Sequence, residues 1–240
     1  MKKPFVLLLF YFLMTTMIVA QNKVEFNAGA DFVSRYVWRG MDFGAAPSIQ
    51  PSLSMGIGGF EVGFWGAYTF SNNRQISDEL DTWLSYTYDI ENSVSITTIV
   101  TDYYFPNAGL RYGNYNNYDD ADGPGAHTIE VGLSIGGADA FPLTLSAFMN
   151  VYNDEGNNTY FQVNYPFTVE DIDLDLFIGG TAGSSKNPVP YNSDKFNIIN
   201  IGLTASREIE ITDKFSLPIF VSYILNPRVD ISHLVFGFSF

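Results

Sequence analysis

The chain has 240 residues, of which 46% are hydrophobic, 16% aromatic and only 16% charged. Twenty-six acidic residues against 12 basic ones give a formal net charge of −14, and there is no cysteine. This composition excludes intrinsic disorder, which needs few aromatic and many charged residues, and it excludes a disulfide scaffold or a thiolate metal site. It also lacks the basic surface of a nucleic-acid binder, so we expect no nucleic-acid partner.

The first twenty residues have the pattern of a cleavable signal peptide. Lys2 and Lys3 precede the apolar stretch 4–19, which ends at Ala20 before a polar segment. An uncleaved anchor is the alternative, but the apolar stretch is shorter than the roughly 20 residues that a spanning helix needs. Cleavage after Ala20 leaves 10 basic residues (12 minus Lys2 and Lys3) against 26 acidic ones. We therefore expect an exported mature domain over 21–240.

After the signal peptide, apolar residues recur at every second position, which predicts β-strands rather than helices. The last segment is typical, because large apolar residues alternate with mostly small ones from Leu234 to Phe240. The predicted strands are 24–36, 47–57, 60–70, 79–89, 93–105, 127–137, 141–152, 159–168, 172–182, 196–207, 214–225 and 230–240. Most are longer than the 5–6 residues of an average strand and match the roughly 9–11 residues of a tilted strand that crosses a bilayer.

The connections between these strands alternate between short turns and long loops. Segments 58–59, 90–92, 136–140, 169–171 and 208–213 are short, whereas 37–46, 71–78, 106–126, 153–158 and 183–195 are longer. This alternation is typical of outer-membrane barrels. We predict an all-β fold, a transmembrane antiparallel up-and-down β-barrel of about twelve strands in the bacterial outer membrane. A secreted soluble β-protein would have to bury many outward apolar residues, which is a weaker explanation.

If the apolar face meets lipid, the other face of each strand lines the lumen. Charged residues predicted to line the lumen are Glu25, Asp31, Arg35, Glu61, Asp81, Asp89, Glu130, Asp173 and Asp175, together with His233. Acidic residues dominate this set, so an aqueous lumen is expected to favour cations. The alternative is that these charges pair with Arg35 and Arg39 and fill the lumen. Small residues such as Gly63 and Gly132 on this face either leave open volume or make room for other side chains.

Aromatic residues cluster near the predicted strand ends. Those assigned to interfacial girdles are Tyr36, Trp38, Phe70, Tyr86, Tyr88, Tyr103, Tyr104 and Phe105. Trp65 and Trp83 fall on the lumen face and are expected to constrict it.

Residues that could carry chemistry are scarce. The two histidines, His127 and His233, are too far apart in sequence to suggest a metal site, and we predict no cofactor and no enzymatic activity. A barrel-embedded lipid hydrolase would need a serine beside a histidine on the lipid face, whereas His233 falls on the lumen face. Segment 119–123, Asp-Asp-Ala-Asp-Gly, has the carboxylates of a possible calcium site. Its residue spacing does not match that of an EF-hand loop. A solvated acidic loop tip is the simpler interpretation.

Several motifs resemble those of the TorF-like porins, a bacterial family long described as being of unknown function. Tyr36, Trp38, Arg39 and Gly40 resemble its early Y-x-[FW]-R-G signature. Segment 47–53 resembles its P-x-x-Q segment, and 59–66 resembles its third strand. The resemblance extends over about 24–160 and implies an outer-membrane porin, without catalytic residues. Phe236, Phe238 and Phe240 resemble the C-terminal signal that the barrel-assembly machinery reads.

Arg39 is expected at the end of the first strand, beside Asp42 and opposite acidic residues of neighbouring strands. A guanidinium can bind a carboxylate through two parallel hydrogen bonds, so Arg39 is expected either to order the first loop or to line the mouth and attract anions.

We expect passive movement of small hydrophilic solutes or ions through a narrow acidic lumen. The alternative is a non-conducting barrel whose outer loops bind a ligand or surface partner. Whether segment 106–126 folds into the pore is left open, and Asp102 is expected to mark a bulge or an early exit from the membrane.

Overall fold

The computed structural model describes residues 23–71, 78–90, 94–138 and 140–240. The predicted signal peptide lies outside these residues. Within them no helix is long and apolar enough to cross a membrane. The strands are β1 (Glu25–Val33), β2 (Val37–Trp38), β3 (Met41–Asp42), β4 (Ser48–Ile57), β5 (Phe60–Thr69), β6 (Glu79–Ile90), β7 (Val94–Tyr104), β8 (His127–Gly136), β9 (Thr144–Tyr152), β10 (Thr159–Val169), β11 (Ile172–Thr181), β12 (Asn197–Thr212), β13 (Phe215–Asn226) and β14 (Ile231–Ser239).

All strands except β2 and β3 form one closed antiparallel barrel, which confirms the predicted fold class. Each of the twelve pairs with its neighbours along the chain, and β1 closes the barrel by pairing with both β4 and β14. The start of β1 and the end of β14 lie at the same end of the barrel as the short turns. We call this end the turn end and the opposite one, where the long connections lie, the loop end.

Two local predictions are wrong. The predicted short turn 208–213 is mostly strand, because β12 continues to Thr212. Thr212 pairs with Phe215 after a register shift that follows Glu210. Asp102 was expected to mark a bulge or an exit, but β7 runs regularly through Asp102 to Tyr104. The irregularity lies instead between β8 and β9, at Ile129 and Glu130.

The two faces of the barrel wall differ in chemistry. Large apolar residues are exposed on the outside along alternate positions, as for Phe26, Leu84, Leu234 and Phe236. A soluble protein of this size seldom exposes so continuous an apolar belt, whereas a barrel in lipid requires one. The inner face carries the polar residues and the glycines.

Aromatic side chains from neighbouring strands cover the glycines of the inner face. A methyl group placed on Gly63, Gly132 or Gly202 would lie 2.2, 2.5 or 2.3 Å from the ring of Trp83, Phe148 or Phe177, respectively. The small residues therefore make room for large side chains that point into the lumen. Trp83 also donates a hydrogen bond from Nε1 to Glu61 at 3.2 Å.

The connection between β1 and β4 enters the lumen. Pairing of β1 with β14 is short and extends from Asp31 to Val33. Further main-chain bonds join Ala30 and Phe240, at 2.8 and 3.1 Å, and Ser34 N to Phe236 O, at 2.8 Å. Beyond Ser34 the chain turns inward and forms the small hairpin β2–β3. We call residues 34–46 the inner hairpin. Its Val37 packs on a buried apolar cluster of the wall that includes Val33 and Val235.

Candidate functional site in the barrel lumen

Arg39 joins the inner hairpin to the far wall of the barrel. Its Nη1 and Nη2 donate to the two carboxylate oxygens of Glu130 on β8, at 2.6 and 2.8 Å. The two-pronged pair described for Arg39 is present, and its partner is the strand residue Glu130. Asp42 instead accepts a hydrogen bond from Arg35 within the hairpin. Arg39 and Glu130 are both almost fully buried, with side chains 9% and 3% exposed.

Aromatic rings enclose the Arg39 guanidinium. Its central carbon lies 4.3 Å from the ring centre of Trp38 and 4.5 Å from those of Phe148 and Tyr160. Nη1 also donates to the Tyr191 hydroxyl at 2.5 Å. Cation–π attraction strengthens when the cation is desolvated, so this enclosure stabilises the buried charge.

The charge of Arg39 is maintained in this buried position. Burial alone would lower the pKa of the guanidinium, but Tyr191 and Glu130 outweigh that effect, so the pKa is raised above its usual value. Tyr103 from β7 donates its hydroxyl to Glu130 at 2.8 Å and completes the pair's hydrogen bonding. A buried ion pair that is fully hydrogen-bonded holds a defined geometry.

Gly40 brings the backbone of the inner hairpin directly against β12. It has a positive φ of 78°, and a methyl group there would lie 2.0 Å from the Ile199 carbonyl oxygen. Ile199 is the extra residue of a bulge, because Gly179 pairs with Asn200 while Gly180 pairs with Ile198. On the other side, Asn226 Nδ2 donates to the Gly40 carbonyl at 3.1 Å. The Arg-Gly pair thus fixes the tip of the hairpin to three strands.

A second contact ties the base of the inner hairpin to β6. Tyr36 is buried against Trp65, with ring centres 5.4 Å apart, and its hydroxyl donates to Glu79 at 2.8 Å. Asp81, two residues further along the same face, is 8% exposed, and no described group bonds to its Oδ1. The loop-end half of the lumen is therefore occupied by buried carboxyl groups and aromatic rings.

Below the inner hairpin the lumen contains a cavity of about 310 Å³, which we call the mid-barrel cavity. Arg35, Arg39 and Gly40 form its roof, and the walls come from β4, β10–β14 and the end of β1. Polar wall residues are Gln50, Gln162, Asn164, Asp175, Asn200, Thr204 and Ser222. Phe177 and Phe220 add apolar surface. The lining thus combines amide, hydroxyl and charged groups with apolar side chains, which also include Val33, Ile224 and Val235.

The predicted lumen charges fall into separate groups. Glu25 and Glu61 line a cavity of about 420 Å³ near the turn end, together with Ser85 and Thr87. Asp89, near the same end, is exposed, and Asp31 pairs with Gln50 and Ser239. Asp175 lines the mid-barrel cavity, and Asp173 accepts a hydrogen bond from Thr168 at 2.8 Å. His233 is 9% exposed and lies near Asp42 and Arg35 of the inner hairpin.

The girdle prediction is wrong for three residues. Tyr36, Trp38 and Tyr103 point into the lumen instead, because the inward loop offers these rings buried partners. Tyr36 bonds to Glu79, Trp38 packs on the Arg39 guanidinium, and Tyr103 bonds to Glu130. Phe70, Tyr86 and Tyr88 are exposed on the outer face, at 60%, 38% and 57%.

Of the C-terminal residues, Phe236 and Phe240 are exposed and Phe238 stacks on Phe32 with ring centres 5.4 Å apart.

Residues 105–126 lie on the outside of the barrel and not in the lumen. We call this segment the strap. Its Tyr115 stacks on His127 with ring centres 3.9 Å apart, and Tyr152 of β9 donates its hydroxyl to the Tyr115 carbonyl. His127 is fully buried, with Nδ1 2.8 Å from Asp102 and Nε2 2.5 Å from the Tyr112 carbonyl. Asp102 therefore interrupts the apolar line of β7 because it binds His127 beneath the strap.

We predict that His127→Leu will release the strap. The change removes the bonds to Asp102 and Tyr112, and losing about 1–3 kcal/mol of hydrogen bonding would raise the local open population at least severalfold. Trypsin cleavage after Arg111, within the strap, should accelerate accordingly in the folded barrel. Tyr118→Ala, at an exposed strap position (43%), should leave the cleavage rate unchanged. Equal rates for His127→Leu and the unaltered protein would contradict this role.

The comparisons with known proteins identify a family. Residues 19–215 match the family described as "Bacterial protein of unknown function (Gcw_chp)". The chain belongs to the Gcw_chp family. A search of curated proteins finds no match. One similar solved structure comes from work on the in-meso crystallization of membrane proteins. It shares 10% sequence identity, covers 92% of this chain and 83% of its own, and gives a TM-score of 0.49. Similarity at that level says nothing about activity.

In this Gcw_chp protein, sequence analysis missed several residues of the site. Tyr191, Tyr160, Phe148 and Asn226 contact the inner hairpin from three different parts of the wall and loops. For Tyr160 and Phe148 the sequence did contain a signal, because both fall on the lumen face near glycines. Phe148 pairs with Gly132, and the Tyr160 ring lies over Gly179. Tyr191 lies in a long loop, where no alternation of apolar and polar residues predicts the direction of a side chain. Among the described residues, no three His, Asp or Glu side chains are grouped to hold a metal ion.

Proposed function

We propose that this Gcw_chp protein is an outer-membrane barrel that passes small polar solutes, with the inner hairpin as its closure. The observation that carries the proposal is the position of a polar cavity directly below a segment that enters the lumen. The inner hairpin is attached to the wall by side-chain bonds and by a few main-chain contacts. It can therefore move without breaking the barrel's main-chain ladder.

The proposal places the loop end outside the cell and the turn end in the periplasm, as in barrels with long outer loops and short inner turns. The exposed apolar belt would contact outer-membrane lipid. The C-terminal Phe236, Phe238 and Phe240 would be read by the assembly machinery during insertion. Acidic residues outnumber basic ones along the lumen, so ions that pass should be mainly cations.

The test is conductance of the refolded barrel in a planar bilayer under a salt gradient. Because the hairpin and aromatic rings occupy the loop-end half, we expect small cation-selective steps. Replacing residues 36–45 with a short Gly-Ser turn should raise the conductance severalfold. Shortening the strap over 113–124 is the matched control, and it should leave conductance unchanged because the strap lies outside the lumen. A folded barrel that stays silent after loss of the hairpin would overturn the proposal.

The second candidate is a non-conducting barrel that binds a surface partner through its outer loops. It is favoured by the strap, which holds Tyr112, Tyr115 and Tyr118 exposed on the outside at 51%, 48% and 43%. Lipid hydrolysis receives no comparable support, because the ring nitrogens of His127 contact Asp102 and a main-chain carbonyl rather than a serine. We therefore also propose that the protein is not an enzyme. Hydrolysis of a phospholipid by the refolded barrel would contradict that.

A further inference from the structure

A line of hydrogen-bonding side chains runs along the inner wall below the inner hairpin. We call Gln162, Asn164, Asp175 and Asn200 the polar ladder. Gln162 Nε2 donates to Asn164 Oδ1 at 2.8 Å, and Asn164 Nδ2 donates to Asp175 Oδ2 at 2.7 Å. Asn200 Nδ2 donates to the Tyr160 hydroxyl at 2.8 Å and to Gln162 at 3.2 Å. All four residues line the mid-barrel cavity.

Three charged residues line the mid-barrel cavity, and the two arginines among them are neutralised by acidic partners, whereas Asp175 keeps its negative charge. Arg35 bonds to Asp42, and Arg39 bonds to Glu130. Neither acidic partner lines the cavity. The Asp175 carboxylate accepts a hydrogen bond from Asn164. The remaining polar lining is neutral, with Gln50, Thr204 and Ser222 beside the ladder. Amides and hydroxyls both donate and accept hydrogen bonds, which is the complement of a neutral ligand with hydroxyl groups.

One ladder atom lacks a partner and requires a donor. Asn200 is 6% exposed, and no described group bonds to its Oδ1. A buried amide oxygen left without a hydrogen bond costs about 1–3 kcal/mol. Asn200 Oδ1 has almost no accessible surface, so a ligand hydroxyl can donate to it only if the Asn200 side chain turns this oxygen into the cavity. The cavity volume of about 310 Å³ is at the lower end of the range of roughly 300–1,000 Å³ for small-ligand pockets. The apolar rings of Phe177 and Phe220 offer surface to a carbon skeleton.

We infer that the mid-barrel cavity binds a neutral polyhydroxylated solute of about the size of one sugar ring. The polar ladder supplies donors and acceptors to the hydroxyl groups, and Phe177 and Phe220 contact the C–H face of the ring. Passage of that solute through the barrel rests on the proposed function, whereas binding in the cavity does not require an open channel.

Binding is measured on the folded barrel in deuterated detergent, by saturation-transfer NMR of D-glucose. Gluconate and glucosamine at equal concentration serve as negatively and positively charged analogues. Asn164→Leu removes both ladder bonds of this residue while keeping its approximate volume, and should weaken glucose binding by roughly tenfold. Ser134→Ala is the control, because Ser134 bonds to Ser146 on the lumen face and does not line the cavity. Thr204→Val provides a second cavity variant if Asn164→Leu does not fold.

We expect glucose to bind more tightly than both charged analogues. Binding should be lost in the cavity variants and kept in Ser134→Ala. The inference is overturned if glucose does not bind, if it binds equally to the cavity variants, or if a charged analogue binds more tightly. Conductance distinguishes the two proposals. A silent barrel that binds glucose refutes passage alone, and a conducting barrel that does not bind glucose refutes the sugar site alone.

Discussion

Arg39→Ala should release the inner hairpin from β8, destabilise the barrel and raise its conductance. Removing one member of a buried, hydrogen-bonded ion pair typically costs about 3–5 kcal/mol, because the partner charge is left buried and uncompensated. Here Glu130 would keep its bond from Tyr103 and lose two charge-assisted bonds. The three aromatic rings around the guanidinium would lose their cation–π contacts as well.

Both effects are measurable on the same preparation. Stability is read from urea titration of the refolded barrel, scored by the mobility difference between folded and unfolded chain on gels. Conductance is read from planar bilayers, where longer or larger openings are expected than in the unaltered protein. Arg39→Lys should recover only part of the stability, because an ammonium group cannot form two parallel bonds to a carboxylate.

The matched control is Arg207→Ala. Arg207 forms an ion pair with Asp171 at 2.6 Å, but the two side chains are 56% and 59% exposed. Such a surface pair contributes about 0–1 kcal/mol, so its loss should change neither stability nor conductance. Adding Glu130→Leu to Arg39→Ala should restore part of the lost stability by removing the orphaned charge. If Arg39→Ala behaved like Arg207→Ala, the closure role assigned to Arg39 would fail.

The barrel could be predicted from sequence because its signal is local. Alternation of apolar and polar residues is set by the two-residue repeat of a strand, and a lipid solvent on one face preserves that alternation over many residues. Short turns such as Gly58–Gly59 then fix which strands are neighbours. Predicted and observed strands therefore agree closely, with the largest difference at β12, where Glu208–Thr212 continues the strand into a bulge.

The closure could not be predicted because its contacts are distant in sequence. Arg39 and Glu130 are 91 residues apart, and Arg39 and Tyr191 are 152 apart. Periodicity assigns a face only to residues within a strand, so it gives no direction for Tyr36 or Trp38 once β1 has ended at Val33. The same limit applies to the strap, whose outward position depends on the pairing of His127 with Asp102 across β7 and β8.

Gly40 is the residue at which the closure should be most sensitive to a single added carbon. Gly40→Ala would place Cβ 2.0 Å from the Ile199 carbonyl oxygen and 3.1 Å from its carbon, both main-chain atoms that cannot rotate away. Either the inner hairpin or the bulge of β12 must shift. We expect a loss of stability of at least about 3 kcal/mol, at the upper end of single substitutions, together with increased conductance.

Gly109→Ala separates this steric effect from backbone strain. Gly109 has a similar positive φ of 84° but no atom within 4 Å of an added Cβ. An alanine there should cost only the roughly 1–2 kcal/mol of the left-handed conformation and should leave conductance unchanged. The difference between the two variants therefore measures the contact between the hairpin tip and β12. Equal stability and conductance in both would mean that Gly40 is required only for its turn, and that the hairpin is held closed by Arg39 alone.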